Sequence, residues 1–76
     1  MTSSAHIWAE MAVNRVHEIY RCRTARDEFM AKARIAHKLL GPAAAIGWVS
    51  GARTHNRWAI EAKRDSRRYL EYVQGG

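Results

Sequence analysis

The stretch KLLGPA, residues 38–43, decides the fold of this chain. Glycine commonly ends a helix because it adopts left-handed backbone conformations at little cost. Proline cannot continue the hydrogen-bond ladder of the helix before it, but it suits the first turn of the helix after it, where an N–H would have no partner. The pair Gly41-Pro42 therefore predicts that one helix ends near Leu40 and a second one begins after the turn.

Upstream of this turn the sequence favours one long helix. No proline or glycine occurs between Ser4 and Leu40, and the segment is rich in good helix formers. We predict a first helix over about residues 4–40. Thr24 and Asp27 have the spacing of a capping box, in which the two side chains cap a new helix, so a break at Thr24 stays open.

Downstream of the turn the start of the second helix is ambiguous. Pro42 is well suited to be its first residue. Gly47 and Gly51, however, lower the helix propensity of the next residues, so the helix begins either at Pro42 or near Thr54. We expect it to continue to Val73.

Both predicted helices carry a stripe of apolar residues at spacings of three and four, which is typical of a helix with one buried face. Folding the chain back at Gly41 brings Ile19 and Cys22 opposite Ala59 and Ala62. The fold class is therefore all-α, with residues 1–76 forming a single antiparallel helical hairpin. The residues predicted for the core of the hairpin or of an oligomer are Trp8, Ile19, Phe29, Leu40, Trp48, Ala59, Ala62 and Leu70.

A chain of this length rarely builds a sufficient core alone. Several large apolar residues also lie off the main stripes and would stay exposed to solvent in a single hairpin. Two hairpins that pair into a four-helix bundle would cover them, so we expect a homodimer. The apolar residues off the stripes are Ile7, Val13, Ile35, Leu39, Ile46, Trp58 and Ile60.

The charge balance predicts an anionic partner. Lys and Arg number 13 against 7 acidic residues, which gives a formal net charge of +6 and a pI near 10.3. Such an excess favours an acidic protein surface or nucleic acid. Arginines in the middle of the first helix and late in the second are expected to lie at the same level of the hairpin. The predicted partner-binding residues are Arg21, Arg23, Arg26, Arg64, Arg67 and Arg68, with Trp58 and Tyr72 as aromatic anchors.

Catalytic, metal and cofactor sites are not expected. The four histidines are not spaced three or four residues apart, and Cys22 is the only cysteine, so no ordinary ligand set or nucleophile pair is present. The sequence also lacks a glycine-rich phosphate loop. No apolar run is long enough for a membrane span, and no signal peptide is recognisable, so we expect a cytoplasmic protein.

These observations favour a non-enzymatic binding protein that docks on an intracellular partner protein and regulates or inhibits it, as phage accessory proteins do. Binding of nucleic acid through arginine contacts to its backbone is an alternative. Tyr20-Arg21, Arg57-Trp58 and Lys63 together resemble a small part of phage helical-hairpin proteins that sequester cyclic nucleotides. This short resemblance implies a third alternative, the sequestration of a small anionic nucleotide.

Overall fold

The computed structural model describes residues 2–75, which form two long helices. Helix α1 spans Thr2–Leu40 and helix α2 spans Pro42–Gly75. They lie side by side along their whole length, in a rod whose Cα extents are 58 × 13 × 11 Å. The predicted all-α hairpin is confirmed.

Gly41 makes the reversal between the helices. Its φ angle is +95°, a left-handed conformation that strains any residue with a Cβ atom. Its N–H donates to the carbonyl of His37 at 2.9 Å, and its own carbonyl accepts from the N–H of Ala44 at 3.2 Å. One residue thus closes α1 and opens α2, which fixes the two helices in antiparallel contact.

Neither helix is interrupted where the sequence left a break open. Helix α1 continues through Thr24, and α2 begins at Pro42 and continues through both glycines. Gly51 has a packing role, because a Cβ atom there would collide with the ring of Phe29. A Cβ atom at Gly47 would meet nothing within 4 Å. Both glycines lower helix propensity, but only Gly51 is required by the packing of the hairpin.

The residues that α1 and α2 bury against each other recur every seven positions. Such a repeat keeps one seam in contact as two helices coil around each other in a left-handed sense. One row of the seam consists mostly of small residues and is called here the alanine row. Its members are Ala5, Ala12, Ile19, Arg26 and Ala33 in α1, and Ala45, Ala52, Ala59, Ser66 and Val73 in α2.

The second row of the seam contains the large rings and is called here the aromatic row. Trp8 stacks on Tyr69 at a centroid distance of 5.6 Å, and Phe29 meets the edges of Trp48 and His55 at 5.4 and 4.9 Å. The members of this row are Trp8, Arg15, Cys22, Phe29 and Ala36 in α1, and Trp48, His55, Ala62 and Tyr69 in α2.

The hairpin does not bury all of the residues predicted for the core. Ile19, Ala59 and Ala62 are buried, Trp8 and Phe29 are half-buried, and Trp48 lies at the edge of the seam. Leu40 and Leu70 are 79% and 47% exposed, so the hairpin itself does not bury them, and their place in the core of an oligomer stays a prediction. Leu40 is the last residue of α1, where the chain turns away and leaves nothing opposite it. Leu70 falls just outside the seven-residue repeat, which selects its neighbour Tyr69.

Candidate functional site

The two rows of the seam face opposite sides of the hairpin. Because successive helical residues are 100° apart, residues one and four positions after an alanine-row residue lie beside that row. Residues one position before and three positions after an aromatic-row residue lie beside the aromatic row. We call the resulting surfaces the alanine side and the aromatic side. The contact between Ala12 and Ser66 shows that the alanine row of α1 packs against the alanine row of α2. The contact between Trp8 and Tyr69 shows the same for the aromatic rows.

The alanine side is strongly basic. Its only acidic residue is Asp27, which bonds to the neighbouring Arg26. Among the described residues, no carboxylate lies within ion-pair distance of the other five cations. The alanine side therefore carries most of the net charge of the chain. Its basic residues are Arg23, Arg26, Arg34, Arg53, Lys63 and Arg67.

The aromatic side is balanced in charge. Arg15 contacts Glu18 at 2.6 Å and Asp65 of the other helix at 3.7 Å. A hydrogen bond to Glu18 and, to a smaller extent, one to Tyr69 raise the pKa of Arg15 above its ordinary value. The basic residues on this side are Arg15, Arg21, Lys32 and Arg68, and the acidic ones are Glu18, Glu28, Glu61 and Asp65.

A groove opens between the helices on the alanine side. Arg26 lies half-buried at its floor and donates from Nη1 to the side-chain oxygen of Asn56 at 2.8 Å. Arg53 stands on the rim of the groove, whose volume is about 340 Å³. A second groove of about 290 Å³ continues from it toward the turn, and Met30 lines both. The guanidinium of Arg26 is thus held in place beside an open furrow.

The distribution of exposed apolar residues also differs between the alanine side and the aromatic side. On the alanine side they are interspersed with the cations along the length of the hairpin, and they comprise Val13, Val16, Tyr20, Ile46, Ile60 and Leu70. On the aromatic side they form three groups. Ile7 and Tyr72 lie near the open end, Ile35 and Leu39 lie near the turn, and Trp58, which is 50% exposed, lies about midway between these groups.

The structure separates the predicted partner-binding residues rather than gathering them. Arg23, Arg26 and Arg67 lie on the alanine side, whereas Arg21, Arg68, Trp58 and Tyr72 lie on the aromatic side. Arg64 points away from the seam, on the outer surface of α2. Arg15 contacts Asp65 and so lies level with the basic residues late in α2, whereas Arg26 bonds to Asn56, nearer the turn. The residues expected to form one basic patch are thus divided between the two sides of the hairpin.

Sequence reasoning missed three residues of the alanine side, namely Arg34, Arg53 and Asn56. Arg34 and Arg53 stand outside the two arginine clusters of the sequence. The signal that would have grouped them is the seven-residue repeat of Ala45, Ala52 and Ala59, since it fixes which residues flank the alanine row. The same repeat places Arg26 in the seam, seven residues after Ile19.

No family model, curated protein or solved structure matches this chain. Within residues 2–75, neither helix has a segment sufficiently long and apolar to cross a membrane. The same residues contain no group of three or more histidine, cysteine, aspartate or glutamate side chains placed to hold a metal ion. The arguments about function that follow therefore depend on the geometry of the hairpin itself.

Proposed function

We propose that this protein is a non-enzymatic binding protein whose alanine side docks on an acidic surface of a partner protein and thereby regulates or inhibits it. The observation that carries this proposal is the segregation of charge. The alanine side combines six basic residues with one acidic residue, whereas the aromatic side has four of each. A one-sided basic field steers an acidic partner to that side and orients it before contact.

A protein partner suits this surface better than nucleic acid does. Contacts to nucleic acid backbones depend mainly on charged and polar groups. The alanine side instead exposes Val16 and Ile60 among its cations, and Met30 lines both of its grooves. Protein interfaces bury such apolar residues in their centre and surround them with polar ones. The mixture on the alanine side fits that pattern.

The aromatic side, in the same proposal, holds a second copy of the chain in a four-helix bundle. A twofold axis that passes near Trp58 would place the apolar group of Ile7 and Tyr72 on the group of Ile35 and Leu39 in the other copy. Isologous pairing of this kind brings the same patch of both copies together. The aromatic side carries no net charge to oppose it. Pairing through the alanine sides would instead bring two strongly basic surfaces together.

The dimer leaves both alanine sides outward, so each copy retains its own docking surface. We include a cytoplasmic site of action in the proposal, because a single cysteine is typical of proteins from reducing compartments. In this arrangement Arg21 and Arg68 belong to the interface between copies, and Arg23, Arg26 and Arg67 belong to the docking surface.

A capture experiment with matched charge variants tests the docking surface. The alanine-side variant carries Arg23→Glu and Arg53→Glu, and its control carries Arg57→Glu and Arg64→Glu on the outer surface of α2. Both change the net charge equally. Each protein is used to capture partners from a lysate of the source cells, with and without nuclease.

We expect the wild type and the control to capture acidic proteins whether or not nuclease is present. The alanine-side variant should fail to capture them. Capture that disappears on nuclease treatment would instead assign the surface to nucleic acid. Equal loss in both variants would show that overall charge, and not the alanine side, determines binding.

A further inference from the structure

We infer that the alanine side recognises an acidic amphipathic α-helix, which lies lengthwise in the furrow between α1 and α2 and completes a three-helix bundle. This inference rests on the proposed function, because it specifies the partner that the docking surface takes. It follows from the shape of the furrow, from the order of charged and apolar residues along it, and from the fixed position of Arg26.

The floor of the furrow is made of small side chains. Ala33, Ala45 and Ala52 lie at its base, and the two grooves that compose it are continuous through Met30. Small residues let the backbone of a neighbouring helix approach closely. A third helix would thus find a shallow channel between residues 26–37 of α1 and 45–56 of α2, and could continue along the alanine side beyond it, parallel to both helices as in helical bundles.

The rims of the furrow are basic on both helices. Arg34 of α1 and Arg53 of α2 line the grooves. Toward the open end, the alanine side continues beyond the furrow with the cations Arg23, Lys63 and Arg67 and the exposed apolar residues Val16 and Ile60. The matching ligand has an apolar stripe one helix face wide and carboxylates along both edges of that stripe. An amphipathic helix with glutamate or aspartate beside its apolar face has this pattern.

Arg26 supplies a fixed contact at the end of the channel that is farther from the turn. Its Nη1 donates to Asn56 at 2.8 Å and its Nε donates to Asp27 at 3.0 Å. A guanidinium has five N–H donors, so donors remain for a carboxylate that enters the groove. Because the group is already oriented, it can bind a carboxylate with little loss of side-chain entropy.

Synthetic peptides test this inference with the full-length chain. The main probe is a peptide of about 28 residues, roughly 42 Å long as a helix, with leucine and alanine on one face and glutamate on both edges. One comparison peptide has the same composition in an order that gives no apolar stripe. A second has lysine in place of glutamate, and a mixed-sequence oligonucleotide is the third. Binding is measured by fluorescence anisotropy of the labelled probe.

We expect the striped acidic peptide to bind at least about tenfold more tightly than each of the comparison ligands, with affinity that falls as salt rises. The variant Arg23→Glu/Arg53→Glu should weaken binding by about tenfold or more, and Arg57→Glu/Arg64→Glu should not. The variant Val16→Ser/Ile60→Ser should also weaken it, while Leu40→Ser, at an exposed apolar residue beside the turn that lines neither groove, serves as its control. Circular dichroism of each variant checks that the hairpin stays helical.

The two levels of the proposal fail in different ways. If the reordered acidic peptide binds as tightly as the striped one, the surface recognises acidic protein but not a helix, and this inference is overturned. If the oligonucleotide binds more tightly than either acidic peptide, the proposed function is overturned as well. Equal effects of the alanine-side and control variants would show that neither peptide uses the furrow.

Discussion

The alanine side and the aromatic side are built by the same two helices, yet they solve different packing problems. Along the alanine row, Ala12, Ala52 and Ala59 are each less than 5% exposed and bring the backbones close together. Along the aromatic row, Trp8 and Phe29 fill the space with rings that remain partly exposed. The first row leaves a furrow at the surface, and the second leaves projecting rings.

The difference extends to charge. Cations collect where the small residues leave a channel, and charges of both signs mix where the rings project. A basic channel is complementary to an acidic ligand, as proposed above. Projecting rings among balanced charges do not repel a second copy of the same surface. The comparison teaches that one helical hairpin can present two surfaces of different shape and charge, determined by which row of the seam lies beneath each of them.

Removal of a large ring from the aromatic row should give the largest loss of stability. Phe29→Ala deletes the edge contacts to Trp48 and His55, so we expect the free energy of unfolding to fall by about 3 kcal/mol. Chemical denaturation at a fixed protein concentration measures it. Tyr20→Ala, at an exposed site on the alanine side, should change stability by less than about 0.5 kcal/mol. Similar losses in both would mean that the aromatic row does not stabilise the hairpin.

Enlargement of an alanine-row residue should have the next largest effect. Ala59 is buried between the helices, so a leucine there would push them apart and lower the free energy of unfolding by about 2 kcal/mol. Ala31→Leu, on the exposed surface of α1, is the matched control and should be nearly neutral. A neutral Ala59→Leu would show that the helices do not approach closely along this row.

Replacement of Gly47 and of Gly51 in α2 should change stability by smaller amounts and in opposite directions. Gly51→Ala places a Cβ atom against the ring of Phe29, so we expect the melting temperature to fall, with a loss of about 1 kcal/mol. Gly47→Ala meets open space and should raise stability by up to about 1 kcal/mol through helix propensity. Thermal unfolding followed by circular dichroism compares them. A gain in both variants would rule out the close contact between Gly51 and Phe29.

The cross-helix ion pair on the aromatic side should matter least. Arg15 and Asp65 are 3.7 Å apart and more than a third exposed, and Arg15 keeps its closer partner Glu18 when Asp65 is replaced. We expect Asp65→Asn to lower the free energy of unfolding by at most about 0.5 kcal/mol, and less at high salt. A loss of several kcal/mol would indicate that charge balance, rather than packing, holds this side together.

Much of the fold was predictable because its signals are local. Gly41-Pro42 determines the reversal, and the antiparallel register that follows is confirmed by the contacts Trp8–Tyr69 and Arg26–Asn56. All seven apolar residues that the sequence placed off the main stripes are exposed in the hairpin. Helix length followed from the absence of proline and glycine in α1.

The surface was harder to predict because the polarity of some side chains does not match their position in the seam or outside it. Arg15 and Arg26 are charged, so the sequence suggested the solvent face, yet both occupy seam positions and cover small neighbours with their aliphatic stems. Leu70 is apolar and suggested the core, yet the seven-residue repeat selects Tyr69. Grouping by neighbours along the chain therefore mixed residues from both sides, and only the three-dimensional register separates them.

The assignment of the two sides is tested most directly by sedimentation velocity on two variants that differ by two positions. Trp58 and Ile60 are 50% and 46% exposed, but Trp58 lies on the aromatic side and Ile60 on the alanine side. We predict that wild type and Ile60→Glu sediment as dimers, whereas Trp58→Glu sediments as a monomer at the same concentration. A Trp58→Glu dimer together with an Ile60→Glu monomer would contradict the assignment, as would a wild-type chain that is monomeric throughout.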